Sequence, residues 1–211
     1  SINSDGVRNL SRISLEENIK LIHVSTDYVF DGFSNRPYKE SDQTNPLNIY
    51  GKSKLQGELI ASEILGDQLL ILRTAWLYSY DSTSFLKTMV NLLMNKDAFN
   101  VVEDQYGTPT STASLARAIY QSIEKNINGV FHFTDLGETT WFGFATAIRE
   151  IMLEQDPSLS LGIINPISYK NYPSKMQRPS YSILDKQKII NHLKDGHLHW
   201  RDALKIEMTR Q

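Results

Sequence analysis

The sequence predicts an α/β fold built on a mostly parallel sheet, and three observations carry that reading. Ile19–Ser25 and Leu69–Trp76 are short, largely apolar runs, the pattern of strands buried on both faces. Segments with apolar residues at helical spacing lie between such runs. Strand and helix patterns then alternate along the chain, the order that a parallel sheet with crossover helices requires.

Each element has its own warrant. Asn9 to Glu17 is polar and helix-compatible and leads into the strand Ile19–Ser25. Phe33 to Pro46 collects Asn35, Pro37, Ser41, Asp42, Asn45 and Pro46 and reads as a loop. Asn48 is placed as the N-cap of a helix carrying Leu55, Leu59, Ile60 and Ile64, with Gly66 as the residue just past its end. After the strand Leu69–Trp76, Phe85 to Met94 repeats at helical spacing. Asn100–Val102 is a short strand, Glu103–Thr110 a loop, Ser111–Lys125 a helix and Gly129–Thr134 a strand. Thr139 or Thr140 caps a helix from Trp141 to Leu153, and Leu161–Ile167 is a strand. Tyr169–Tyr181, with Pro173 and Pro179, is irregular, and Leu198–Met208 forms a terminal helix.

Composition narrows the function classes. The chain has 211 residues, 40% hydrophobic and 22% charged, with a net charge of −2 and its basic residues scattered, which argues against nucleic-acid binding. No apolar run approaches the ~20 residues of a membrane span, so a soluble protein is expected. The absence of Cys removes disulfide and thiolate chemistry and fits a reducing, cytoplasmic setting. His192, His197 and His199 lack a metal-ligand spacing, so no metal site is expected. His23 and His132 alternate with apolar residues and read as core or interface groups, as does the helical face of Trp141, Phe142, Phe144, Ile148 and Ile151. Ser25 has no His/Asp arrangement of an acyl-transfer triad.

Tyr50 and Lys54, four apart on a helix, share one face. A nearby ammonium favours the phenolate, bringing a group with a pKa near 10 toward useful acid/base range. That spacing is common by chance, and on spacing alone a solvated helix pair is the better reading. Thr26 changes the balance, because it closes a predicted parallel strand at the carboxyl end, where open α/β sheets hold their ligands. Its hydroxyl can donate to a carbonyl oxygen while Tyr50 supplies a proton.

Ser25-Thr26-Asp27-Tyr28-Val29-Phe30-Asp31-Gly32, the run from Asn45 to Glu58, and Arg73-Thr74-Ala75-Trp76-Leu77-Tyr78 resemble the dTDP-4-dehydrorhamnose reductase family, within the extended short-chain dehydrogenase/reductases. Asp104–Thr110 and Arg178–Leu184 resemble its later motifs in the expected order. The resemblance implies the C-terminal part of a Rossmann-like parallel sheet with helices plus a small α/β substrate-binding lobe. Residues 1–80 would carry the catalytic groups and 81–211 the lobe, with 100–135 partly returning to the sheet. It further implies hydride transfer from NADPH or NADH to the C4 ketone of a dTDP-4-dehydro-deoxysugar, giving a product such as dTDP-rhamnose. Tyr50 would donate the proton, Lys54 would hold the nicotinamide ribose and lower the Tyr50 pKa, and Thr26 would orient the carbonyl. Asn3 and Ser25 would lie near the cofactor, and Asp27, Trp76, Gln105, Thr110 and Arg178 on the substrate side.

One departure stands out: none of the 11 glycines forms the Gly-rich turn that holds a dinucleotide pyrophosphate. The expectation is therefore an N-terminally truncated chain that binds NAD(P)H weakly or not at all and is inactive without its N-terminal half, with an exposed sheet edge open to pairing with that half or with another copy in a homo-oligomer. Two rival readings share the scaffold. One is a non-catalytic regulatory subunit like the β subunit of methionine adenosyltransferase, against which Thr26 and Trp76 speak; the other is a reductase or epimerase for a different nucleotide sugar.

Overall fold

The computed structural model describes residues 2–172, 178–193 and 195–209. A π-helical turn, Ile2–Gly6, runs into α1 (Val7–Glu16), followed by β1 (Leu21–Thr26), a 3-10 turn at Asp27–Val29 and α2 (Ile49–Leu65). Next come β2 (Leu69–Thr74), β3 (Leu77–Tyr78), α3 (Phe85–Asn95), β4 (Ala98–Val102), β5 (Tyr106–Gly107), β6 (Thr110–Ser111) and α4 (Thr112–Glu124). The chain continues through β7 (Gly129–His132), β8 (Thr139–Thr140), α5 (Trp141–Gln155), β9 (Ile163–Ile167), α6 (Gln187–His192) and α7 (Trp200–Thr209).

The central sheet has the order β1-β2-β7, all parallel, with Thr26 opposite Thr74 at its carboxyl end. Successive side chains of β2 point to opposite faces. Leu69 and Ile71 pack on Val7 of α1 and on Ala61 and Leu65 of α2. Leu70 and Leu72 meet Leu115 and Ala118 of α4, Phe131 of β7 and Ile189 of α6. With both faces covered, every residue of β2 is buried. β1 departs from the expectation of full burial: Leu21–Val24 are only half-buried, because among the described residues β1 lies at the sheet's edge.

A second core gathers Leu86, Met89 and Leu93 of α3, Phe144, Ile148 and Ile151 of α5, and Leu204 and Met208 of α7. Beside it β4 and β9 form a parallel pair. Asn48 and Thr140 cap as expected, accepting from the Gly51 and Gly143 backbone N–H groups, and Ser111, expected as the first residue of its helix, is its N-cap and accepts from Ser114 N–H. The loop expected over 103–110 contains β5 and β6, two residues each and too short to show a period. α6 falls in a segment with no helix signal, and its six residues are held by Ile189 in the core.

Candidate active site

Three elements converge at the carboxyl end of the sheet. β1 ends on Thr26, whose hydroxyl accepts from Tyr28 N–H (3.2 Å) and so turns the chain into the 3-10 segment that presents Asp27 and Tyr28. α2 begins against that turn. A Cβ on Gly51 would lie 2.2 Å from the Tyr28 carbonyl, so glycine is what lets the helix start approach this closely. Tyr50 then meets Tyr28 edge-on, with ring centroids 5.7 Å apart. β2 leads through Thr74 and Ala75 to Trp76. Between them opens a cavity of about 510 Å³, lined by Thr26, Asp27, Tyr28, Tyr50, Lys54, Trp76 and their neighbours, Ser25, Trp141 and Arg178 among them.

The polar groups form a directed chain. Thr26 Oγ1 donates to Asp27 Oδ1 at 2.9 Å, and the Tyr50 phenol shares the cavity wall with this pair. Burial raises the Tyr50 pKa above its usual value; the Thr26 hydrogen bond pulls it down and the Asp27 charge pushes it up. Lys54 Nζ donates to the Val24 carbonyl at 2.6 Å, and burial lowers its pKa against the opposing charge of Glu58. The expected lowering of the Tyr50 pKa by Lys54 is thus not what governs the phenol here. Burial is the largest cause of its shift and Lys54 is not among the causes, so Tyr50 keeps its proton near neutrality, the form a proton donor needs. Burial also pushes Asp27 up to about 6, opposed by hydrogen bonds from Ser182 and Thr26.

The opposite wall is aromatic. Trp76 has φ of +48°, a left-handed conformation that costs a bulky residue on the order of 1–3 kcal/mol. Its indole stacks on Trp141 with centroids 3.5 Å apart and planes 9° from parallel, and it rests on Gly107, where a Cβ would come within 2.4 Å of the ring. Trp141 packs against the second core, as expected of its helical face, and from the helix's first turn also lines the cavity. Trp141 and Arg178 also border a second cavity of about 250 Å³, with Phe85, Asn100, Tyr169 and Gln105 in its wall. Gln105 is 3% exposed, and its Nε2 has no hydrogen-bond partner among the described residues.

All 211 residues match the RmlD substrate binding domain family. The chain belongs to the dTDP-4-dehydrorhamnose reductase family. It is 38% identical over 202 residues to the dTDP-4-keto-6-deoxy-D-glucose reductase of Streptomyces niveus, covering 96% of this chain and 65% of that protein. It is 37% identical to the dTDP-4-dehydrorhamnose reductase of Aggregatibacter actinomycetemcomitans, covering 97% and 71%. The dTDP-4-dehydrorhamnose reductase of Bacillus anthracis, solved in complex with NADP, superposes with a TM-score of 0.90 at 31% identity, covering 99% of this chain and 72% of that one. The chain thus spans about two thirds of the length of the relatives it matches.

Of the residues that the family resemblance singled out, Thr26, Asp27, Tyr50, Lys54, Trp76 and Arg178 line the first cavity, and Gln105 with Arg178 the second. Three are employed elsewhere. Asn3 donates from Nδ2 to Ser53 Oγ at 3.1 Å, docking the first turn of the chain on α2 away from the cavity. Thr110 is fully buried, donates to the Thr108 carbonyl at 3.4 Å and pairs with Leu77 in the β3–β6 ladder. Ser25 borders the cavity, but its hydroxyl proton is committed to Glu58, leaving its backbone and the hydroxyl lone pairs for a ligand. Glu58, Arg73 and Trp141 were not anticipated as site residues. The signal for Arg73 was present, a lone charge inside an apolar strand, which demands a buried partner.

Proposed function

We propose that this chain is the catalytic and substrate-binding portion of an NAD(P)H-dependent reductase acting on the C4 ketone of a dTDP-4-dehydro-deoxysugar, the dehydrorhamnose derivative first. The observation that carries this reading is the juxtaposition of a protonated Tyr50, Thr26 and Lys54 at the floor of a cavity walled by Trp76. Tyr50 donates its proton to the C4 oxygen as the ketone is reduced. Thr26 swings its hydroxyl proton from Asp27 to the same oxygen, or accepts from Tyr50 until substrate arrives. Trp76 packs on the sugar ring, and the nucleotide end extends toward Arg178 and the second cavity, where the unpartnered Gln105 amide finds an acceptor.

The cofactor residues fit in part. Lys54, Tyr50 and the backbone at Val24–Ser25 border an opening suited to a nicotinamide riboside. NADPH or NADH supplies the hydride when bound. No Gly-rich turn follows a strand in the sequence, so we assign the pyrophosphate contacts to the portion of the relatives without a counterpart here. On this reading residues 1–80 belong with the cofactor half and 81–211 mainly with the substrate lobe, and the open edge of β1 pairs with that further portion or with a second copy. A micromolar Kd for NAD(P)H on the 211-residue chain alone would contradict the assignment. The cysteine-free composition favours a cytoplasmic setting, and among the described residues no helix is long and apolar enough to cross a membrane.

The test is Tyr50→Phe in the full-length protein, assayed with dTDP-4-dehydrorhamnose. Turnover should disappear while cofactor affinity is kept; a retained kcat would overturn the mechanism. Product analysis with several dTDP-keto-sugars distinguishes the rhamnose-type substrate from its relatives.

A further inference from the structure

The face of α2 that carries Tyr50 and Lys54 continues, four residues further, to Glu58. Glu58 is 3% exposed, and Arg73 of β2 grips it as a fork: Nη2 to Oε2 at 2.7 Å, Nε to Oε1 and Oε2 at 3.1 and 3.2 Å. The Ser25 hydroxyl of β1 donates to the same carboxylate. On its other side the Arg73 guanidinium lies over the Phe30 ring, 5.2 Å from the centroid, in the loop that follows Tyr28. One carboxylate is therefore bonded to the strand that ends in Thr26 and to the strand that leads to Trp76, while it rides on the helix that begins with Tyr50.

We propose that Glu58, acting through Arg73 and Ser25, is a positioning residue that fixes Tyr50 against Thr26 in the reacting geometry. The proposal rests on the reductase reading for its kinetic part only. A buried ion pair is a poor source of stability, because desolvation offsets its attraction and well-packed apolar side chains of similar volume often replace it without loss. What the pair adds over an apolar contact is direction. A planar guanidinium on a carboxylate admits one register, whereas two leucines would tolerate several. A slip of α2 along the sheet by a fraction of a turn would carry Tyr50 away from Thr26, and misplacement of about 1 Å costs rate on the order of a hundredfold. Glu58 also acts on Lys54, one turn away, by raising its pKa against the effect of burial.

The experiment compares Glu58→Gln, Arg73→Lys and the double variant Glu58→Leu/Arg73→Leu with the native full-length protein. We expect kcat to fall about a hundredfold in each, with substrate KM within threefold, while the double variant melts at or above the native temperature. A folded double variant with native kcat would overturn the proposal. Should the double variant fail to fold, Arg73→Lys, which keeps the charge and loses the fork, decides: native kcat there overturns it equally. A second readout needs no turnover. NMR titration of the Tyr50 ring should show its pKa displaced in Arg73→Lys, because the phenol moves relative to Thr26 and Asp27, the two groups that act on it. An unchanged Tyr50 titration would overturn the positioning role even if the protein reduces no ketone.

Discussion

On the β1–α2 side of the cavity, Thr26 donates to Asp27 and Lys54 to the Val24 carbonyl, and behind them Glu58 is held from two strands, with Asp27 Oδ2 and Arg73 Nη1 left without a partner among the described residues. On the Trp76–Trp141 side two indoles lean on each other, and Gln105 keeps a buried amide nitrogen without a partner among the described residues. The first wall is organised before any ligand arrives, as electrostatic catalysis requires, since groups already aimed need not reorient during the reaction. The second is held by ring stacking and leaves one strong donor unsatisfied. Such a group costs about 1–3 kcal/mol in the empty protein and recovers it when a ligand supplies an acceptor. On the proposed function, chemistry belongs to the first wall and recognition to the second.

The strongest way to break this division is at the rigid wall. Tyr50→Phe should reduce kcat by about 10³-fold, roughly 4 kcal/mol, with a melting temperature near native. A large loss of stability with modest loss of turnover would mean that Tyr50 serves the fold. Next in size, Gly107→Ala should displace Trp76, because the added Cβ would lie 2.4 Å from its ring. Urea denaturation should show about 2–3 kcal/mol lost, and substrate KM should rise more than kcat falls.

A pH experiment sharpens the same contrast. Burial depresses His23 to about 4 and His132 to about 3, the latter helped by the Arg73 charge, so from pH 4 to 6.5 the unfolded chain binds protons that the folded chain refuses. Stability contributed by these two therefore rises with pH across that window. Asp27 has the opposite sign: folded, it holds its proton up to about 6, while unfolded it releases it near 4. Its contribution is full at the acid end and is lost as pH climbs. Asp27→Asn should therefore steepen the rise in unfolding free energy between pH 4 and 6 by about 2 kcal/mol; an unchanged slope would mean that Asp27 is not the buried member of the Thr26 chain. The smallest effect belongs to the adaptable wall. Gln105→Met should leave the free protein level or more stable by about 1 kcal/mol and weaken substrate binding several-fold, as calorimetry would register.

Much of the rigid wall was legible because its signals are local. An Asn cap, four-residue spacing and a Thr at a strand end are each set by backbone geometry within a few residues. Glu58 escaped notice inside a helix where an exposed Glu is the ordinary reading, and only its long-range partner in β2 makes it special. Trp141 was read only as a core residue, because helical periodicity ranks residues by face and says nothing of position along the axis. A first-turn aromatic can pack against the core and still border a cavity at the core's end. Ser25, Asn3 and Thr110 show the converse: a residue can sit in a recognisable motif while its side chain bonds a neighbouring helix, as Ser25 and Asn3 do, or a nearby carbonyl, as Thr110 does.

Two of the chain's three tryptophans face each other at 3.5 Å, while Trp200 is buried in the second core. Indoles that close share their excited states, so the pair contributes a split circular-dichroism band and quenched emission, against the steadier background of Trp200. Any molecule that parts or tilts the stack changes both signals at once. The recognition wall therefore doubles as an optical gauge of its own occupancy, readable without label, cofactor or turnover.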